Sequence, residues 1–217
     1  MFLIFRHQHS QMPQLLLSVW PRLSPPTQTA IKAHLLVCVQ REEAKTIVKK
    51  LCDTVAELAA SIMEEGQWPE LLPFMFQCVS SDSPRLKESA LLMFAQLSQF
   101  IGEHLRPHLS TLHTVFHQCL SPASPSDVRI AALAPTTNFV QTIETPQDRE
   151  RFQDLIPAMM QTLTEALNRN EEATAQEALE MFIELAGTEP RFLRRQIVNV
   201  RKHAACLRIW ECSGLLT

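Results

Sequence analysis

Residues 72–101 read LPFMFQCVSSDSPRLKESALLMFAQLSQFI and hold two helical patterns in succession. Both patterns place apolar side chains on one helix face, at steps of three and four residues. Their members are Leu72, Met75, Phe76 and Val79 in the first pattern, and Leu86, Ala90, Phe94, Leu97 and Ile101 in the second. Between them Ser83 precedes Pro84, a hydroxyl and proline pair typical of a helix start. The stretch predicts two helices joined by a short turn.

The same two-helix unit recurs along the chain. Four similar short segments begin at Cys38, Cys78, Cys119 and Thr162, in steps of 40, 41 and 43 residues. A second set begins at Val55, Phe94, Thr136 and Phe182, in steps of 39, 42 and 46 residues. Two marks in each period of about 40–47 residues are typical of HEAT or armadillo repeats, in which stacked helix pairs share one core. The sequence therefore predicts an all-α fold, a HEAT-repeat α-solenoid built as a superhelix of antiparallel helix pairs.

The repeats divide the chain into predicted segments. They are a leader at 1–19, HEAT repeats at 20–66, 67–103, 104–147 and 148–190, and a partial repeat with a divergent tail at 191–217. Two further pairs, Ser24-Pro25 and Thr145-Pro146, predict helix starts. Three glycines are expected to end second helices in the left-handed conformation that a helix C-terminus favours. They are Gly66, Gly102 and Gly187.

The composition fits a helical protein of the cytosol or nucleus. The 217 residues contain four glycines and no tyrosine, and 46% are apolar, which argues against a disordered chain or a loop-rich sandwich. The longest apolar runs, residues 2–5 and 15–17, are too short for a secretory signal or a membrane span. Cys38, Cys78 and Cys119 hold equivalent positions in successive repeats, so we expect them to face inward and to be reduced.

The net charge of −3 is unevenly distributed. Residues 191–217 contain six basic residues and one acidic residue, which leaves −8 on residues 1–190. An acidic groove favours basic ligands and repels phosphate backbones, so basic protein partners are expected and direct nucleic-acid binding is not. The alternative is that the surplus glutamates only solvate helix faces.

Two groups of residues contain metal-ligating types. The first is His104, His108, His113 and His117, whose last pair has the i, i+4 spacing by which two imidazoles share a zinc ion. No His-Glu-x-x-His motif, phosphate-binding glycine loop or Gly-x-Ser-x-Gly elbow accompanies them. The second is His203, Cys206 and Cys212, which match no structural zinc pattern well. We therefore expect no metal, no cofactor and no enzymatic activity; stoichiometric zinc after purification would favour a metal enzyme instead.

Five runs resemble the amino-terminal repeats of nuclear import receptors. They are Trp20-Pro21-Arg22-Leu23, residues 50–59 (KLCDTVAELA), residues 68–76 (WPELLPFMF), residues 152–160 (FQDLIPAMM) and residues 187–193 (GTEPRFL). By this resemblance the chain is similar to the importin-β (karyopherin-β) family, in particular to its importin-five (karyopherin-β3) type, over about residues 20–199.

The resemblance implies a superhelix that binds protein cargo on its concave, second-helix side, yields it to Ran-GTP in the nucleus, and works in cytoplasm and nucleus. It also implies contact with phenylalanine-glycine repeats of nuclear-pore proteins, in shallow apolar slots between neighbouring first helices. The candidate concave-face partner contacts are the polar residues just before the aligned core position of each second helix: Glu57, Gln96, Asn138 and Glu184. Two alternatives stay open. The four positions are solvated residues that a repeat cannot bury, or the chain is a HEAT adaptor without Ran-regulated transport.

Three features depart from the family pattern. The resemblance implies further repeats before residue 20, where Ran-GTP mainly docks, so the main Ran site is expected to be missing. After Val200 the expected continuation gives way to a different tail, for which we hypothesise a truncated gene copy or an alternative transcript. Pro135 falls within the second helix of the third repeat, where proline removes a backbone hydrogen bond and costs about 3 kcal/mol. Repeat three is therefore the predicted weak point.

Overall fold

A computed structural model describes residues 18–62, 68–169, 176, 179, 182, 183 and 185–187, and for residues 99 and 101–104 it describes the backbone alone. The described residues form helices and turns, with no strand among them. The helices are α1 (Pro25–Arg41), α2 (Lys45–Ile62), α3 (Leu71–Ser80), α4 (Pro84–Leu105), α5 (Leu109–Leu120), α6 (Ser126–Thr142), α7 (Pro146–Glu150) and α8 (Ile156–Asn168). Residues 182, 183 and 185–187 are also helical. None of the described helices combines the length and apolar character needed to cross a bilayer.

The helices form two layers. The first helices are α1, α3, α5 and α8, and the second helices are α2, α4 and α6. Helices α1, α3 and α5 each pack on the second helix that follows, and α2, α4 and α6 pack side by side in that order. Each repeat therefore shares its core with its neighbours, as a solenoid requires. This arrangement confirms the predicted all-α fold of stacked helix pairs, while the exact limits of the repeats stay a prediction.

One apolar core runs through both layers. In the second helices Val55 and Leu97 are fully buried, and Phe94 is 2% exposed. Further along the stack, Phe139 lies edge-on to Phe116 and to Phe152, with ring centroids 6.1 and 5.5 Å apart. Edge-to-face pairs of this kind contribute about 0.5–1.5 kcal/mol beyond their buried area. These rings join the third and fourth helix pairs.

Three helices begin where the prolines predict. Helices α1, α4 and α7 start at Pro25, Pro84 and Pro146. Of the three preceding hydroxyls, that of Ser83 accepts a hydrogen bond from the Leu86 amide at 3.5 Å. Ser24 and Thr145 make no such bond. Proline therefore marks the start of these helices more strongly than the capping hydroxyl does, because it already has the helical φ.

The predicted ends of the second helices are partly wrong. Helix α4 continues through Gly102 to Leu105, and Leu105 is 1% exposed, so burial of this leucine extends the helix past the glycine. Gly187 has helical backbone, with no positive φ. Gly66 lies outside the described residues. Glycine within a helix costs about 1 kcal/mol relative to alanine. Packing of the neighbouring turn can stabilise the helix by more than this.

Pro135 lies inside α6, and helical backbone continues on both sides of it. Its ring is buried in the core. Since proline has no N–H, it cannot donate to the carbonyl of Ala131, its partner in an unbroken helix. One residue further on, the Thr136 hydroxyl donates to the Ala132 carbonyl at 2.7 Å, which adds a side-chain bond within the same turn.

The four cysteines that the structure describes divide into two groups. Cys52, Cys78 and Cys119, the core cysteines, are buried, and burial raises the pKa of their thiols to about 12, 11 and 11 respectively. Cys38 is exposed, so the prediction that it faces inward is wrong. In α1 the buried position is Val39, the next residue, and no earlier repeat among the described residues packs against α1 to cover its neighbour.

Candidate partner-binding surfaces

The second helices present one continuous face to solvent. Helices α2, α4 and α6 pack closely, whereas neighbouring first helices touch far less. A stack whose layers differ in this way bends toward the more closely packed layer. The solvent side of α2, α4 and α6 is therefore called the concave face. Its edge where these helices begin is called the N-terminal rim.

Two of the predicted partner contacts bond to a neighbouring repeat. The Gln96 amide on α4 donates to the Asp53 carboxylate on α2 at 2.5 Å. The Asn138 amide on α6 donates to the backbone carbonyl of Ala95 on α4 at 2.8 Å. Both side chains are half-buried. They therefore connect successive second helices.

The other two predicted contacts differ in kind. Glu57 is half-buried on α2, one turn beyond Asp53, and makes no hydrogen bond or ion pair with the part of the chain that the structure describes. Glu184 lies outside the described residues. Glu57 is thus the predicted contact whose charge is available to a partner. The role of all four residues in binding stays a prediction.

An ion pair crosses the N-terminal rim. The Lys45 ammonium at the start of α2 donates to the Asp127 carboxylate of α6 at 2.6 Å, and lies 3.9 Å from the Glu88 carboxylate of α4. The hydrogen bond with Asp127 is the main cause that raises the pKa of Lys45, while partial burial raises the pKa of Glu88. Sequence reasoning missed this cluster. One signal for it was present in the sequence: Lys45 and Asp127 carry opposite charges and lie 82 residues apart, which is about two repeat lengths.

Arginines at the same rim have other partners. Arg85 donates to the carbonyls of Val39 and Gln40 at 3.0 and 2.6 Å, which caps the C-terminal end of α1. Arg129, which is 7% exposed, pairs with Glu165 of α8, and this bond is the main cause that lowers the pKa of Glu165. Both guanidinium groups therefore fasten a first helix to a second helix of a different repeat.

A groove lies on the outer side, between α1 and the start of α3. It encloses about 360 Å³, and its apolar lining includes Leu36 and Val37 of α1 together with Trp68 and Phe74. Val37 is 38% exposed, which is high for a valine on a first helix. The groove lies where the sequence resemblance implies slots between first helices. Its residues had not been identified from the sequence.

The histidines do not assemble a metal centre among the described residues, where no cluster of three His, Cys, Asp or Glu side chains is found. His113 instead pairs with Asp154 at 2.8 Å and stacks on His117 with ring centroids 6.3 Å apart. The His104 side chain and the group at 203–212 lie outside the described part. His113 thus links the third helix pair to the fourth, and His117 lies beside it on the same helix.

The stacked helix pairs, the continuous second-helix face and the outer groove define a HEAT-type α-solenoid, a class of proteins that binds other proteins along extended surfaces. The profile of one family, described as "IPO5-like, TPR repeats", matches residues 43–202. The chain belongs to this family, which places it in the importin-β (karyopherin-β) family.

Relatives and solved structures agree. The chain is similar to the probable importin-5 homolog of Dictyostelium discoideum, with 29% identity over 166 residues, 76% of this chain and 15% of the relative. In fold it is similar to Kap121p bound to the SUMO protease Ulp1p (TM-score 0.67, 19% identity, 90% of this chain and 19% of that one). It is also similar to Kap121p bound to RanGTP (TM-score 0.63, 20% identity, 89% and 18%). The chain thus spans about 15% of the length of the curated relative.

Proposed function

We propose that this chain is part of a nuclear import receptor that binds protein cargo in the cytoplasm and nucleus without chemistry of its own. Membership of the importin-five family over residues 43–202 is the observation that carries this proposal. The two-layer solenoid supports it, because a continuous second-helix face can hold an extended partner. The complexes of Kap121p with Ulp1p and with RanGTP support a protein ligand and regulation by Ran.

Cargo is proposed to bind on the concave face and to be basic. Glu57 is half-buried there without a partner among the described residues, so a lysine or arginine of the cargo can pair with it. A half-buried carboxylate is screened less by salt than a fully exposed one. Gln96 and Asn138 each use one amide N–H inside the protein, and we propose that they offer their carbonyl oxygens to the same partner.

The outer groove is proposed to bind phenylalanine-glycine repeats of nuclear-pore proteins. Leu36, Val37 and Phe74 offer apolar contacts to a phenylalanine ring, whose full burial would contribute at most about 1.5–3 kcal/mol. Glycine on either side lets the peptide backbone approach the helices closely.

The cargo proposal is tested with purified components. The immobilised chain is titrated with a lysine-rich peptide, with and without Ran locked in its GTP form. Glu57→Lys is expected to weaken peptide binding at least about fivefold, which corresponds to about 1 kcal/mol. Glu150→Lys, the same change on an exposed residue of α7, serves as control and should have little effect. Peptide release by Ran-GTP supports a receptor segment that keeps a Ran site, while binding that Ran-GTP leaves unchanged fits a HEAT adaptor or a receptor segment without the main Ran site. No binding in any condition would overturn the proposal.

The groove proposal is tested with a phenylalanine-glycine repeat peptide and a matched pair of valines. Val37 lines the groove and is 38% exposed, whereas Val19 lies outside it and is 40% exposed. Val37→Asp should abolish peptide binding and Val19→Asp should leave it unchanged. Equal effects of the two substitutions would contradict binding in this groove.

A further inference from the structure

Lys45, Glu88 and Asp127 belong to three successive second helices, so one ion bridge spans three repeats. Lys45 is the first residue of α2. A cation is disfavoured there, because the N-terminus of a helix carries partial positive charge. The two carboxylates therefore offset the unfavourable interaction between the Lys45 ammonium and the N-terminus of its own helix.

The length of the bridge constrains the shape of the solenoid. An extended lysine side chain reaches about 6 Å from its Cα atom and an aspartate side chain about 4 Å. With a bond of 2.6 Å, the two Cα atoms lie at most about 13 Å apart. Helices packed side by side have axes about 8–10 Å apart, so a straight row would separate the axes of α2 and α6 by about 16–20 Å.

The direction of the side chains excludes a straight row. Cα atoms lie about 2.3 Å from the helix axis, so in a straight row both residues would need to point at each other through α4. They would then be buried, yet the Lys45 and Asp127 side chains are 71% and 56% exposed. The bridge therefore runs along the solvent-exposed surface of the N-terminal rim, where it brings the starts of α2 and α6 closer together than in a straight row.

We propose that Lys45, Glu88 and Asp127 form an ionic latch that holds the N-terminal rim of the concave face closed. Arg85 and Arg129 at the same rim bond to the ends of first helices and do not take the place of Lys45. Because the latch rests on exposed charges, raised salt or a competing cation weakens it. Its release straightens α2, α4 and α6 and widens the concave face. The latch stands independently of the proposed cargo, since it concerns shape alone.

The latch is tested by measuring the width of the rim in the full chain. Genetically encoded azido residues at the exposed positions Glu43 and Ala123, in the turns before α2 and α6, carry spin labels for a distance measurement. Lys45→Ala, Asp127→Asn and 0.5 M salt are each expected to lengthen the distance by about 3–7 Å, the difference between the bridged and the straight row. Lys49→Ala is the control, an exposed lysine of the same helix without an ion pair among the described residues, and should leave it unchanged.

A charge exchange separates the ionic effect from a general loss of structure. In the double variant Lys45→Asp with Asp127→Lys, the opposite charges are kept and the short distance should return. An unchanged distance in Lys45→Ala would overturn the latch. So would a lengthened distance that the double variant does not restore, because the effect would then come from the start of α2 and not from the ion bridge.

Discussion

Replacing Pro135 by alanine should stabilise the protein. Alanine within a helix is favoured over proline by about 3 kcal/mol, because it restores the N–H and removes the ring from the preceding turn. The restored amide would donate to the Ala131 carbonyl. Against this gain, the buried ring contributes two methylene groups that alanine lacks, at about 0.8 kcal/mol each. The net gain is about 1.4 kcal/mol, which for a chain of 217 residues raises the thermal midpoint by about 3–6 °C.

Circular dichroism melting of the two variants Pro135→Ala and Pro157→Ala distinguishes this cause from a general effect of removing proline. Pro157 is exposed in the first turn of α8, where the missing N–H has no partner to lose, so its replacement should change stability by less than about 0.5 kcal/mol. Hydrogen exchange should show a protected amide at position 135 after the first substitution. A midpoint equal to or below that of the unmodified protein would refute the reasoning and show that α6 accommodates the proline without cost.

Three further predictions follow from contacts between repeats. Asn138→Ala should lower stability by about 1 kcal/mol in urea unfolding, since it removes the donor to the Ala95 carbonyl; an unchanged midpoint would make that bond energetically neutral. Glu165→Gln should reduce the loss of unfolding free energy at acid pH. Arg129 lowers the folded pKa of Glu165, so the contribution of this carboxylate to stability is complete above about pH 4.3 and is lost as pH falls through the folded pKa. Identical melting profiles between pH 3 and 6 would contradict this. At pH 8, iodoacetamide followed by mass spectrometry should modify Cys38 before the core cysteines, because the raised pKa values lower the thiolate fraction of the core cysteines at least about 100-fold.

The bonds between repeats stabilise the shape of this solenoid. Arg85 and Arg129 connect the two layers, Gln96 and Asn138 connect successive second helices, and Lys45 reaches across three repeats. In a solenoid each repeat contacts mainly its neighbours, so small changes at these links add up along the stack. The concave face is therefore both the proposed partner surface and the place where curvature is set.

The apolar periodicity predicted the helix pairs because it depends on residues three and four apart, which are neighbours in the chain. The proline positions located the starts of α1, α4 and α7 for the same reason. The longer runs, such as residues 68–76, then identified the family that the comparisons show. Each of these features depends on residues that are close in the chain, so it can be recognised without knowing how the helices stack.

Contacts between repeats could not be predicted in this way. The exposure of Cys38 depends on whether another helix covers α1, and the extension of α4 past Gly102 depends on the burial of Leu105. The bonds of Gln96 and the bridge from Lys45 to Asp127 join residues 43 and 82 positions apart. Their distances depend on the curvature of the stack, to which side-chain packing across several helices contributes together with the proposed latch. Local sequence patterns therefore predict the helices, their order and the family. Which polar side chains meet depends on the angle between repeats, so it is seen in the folded stack alone.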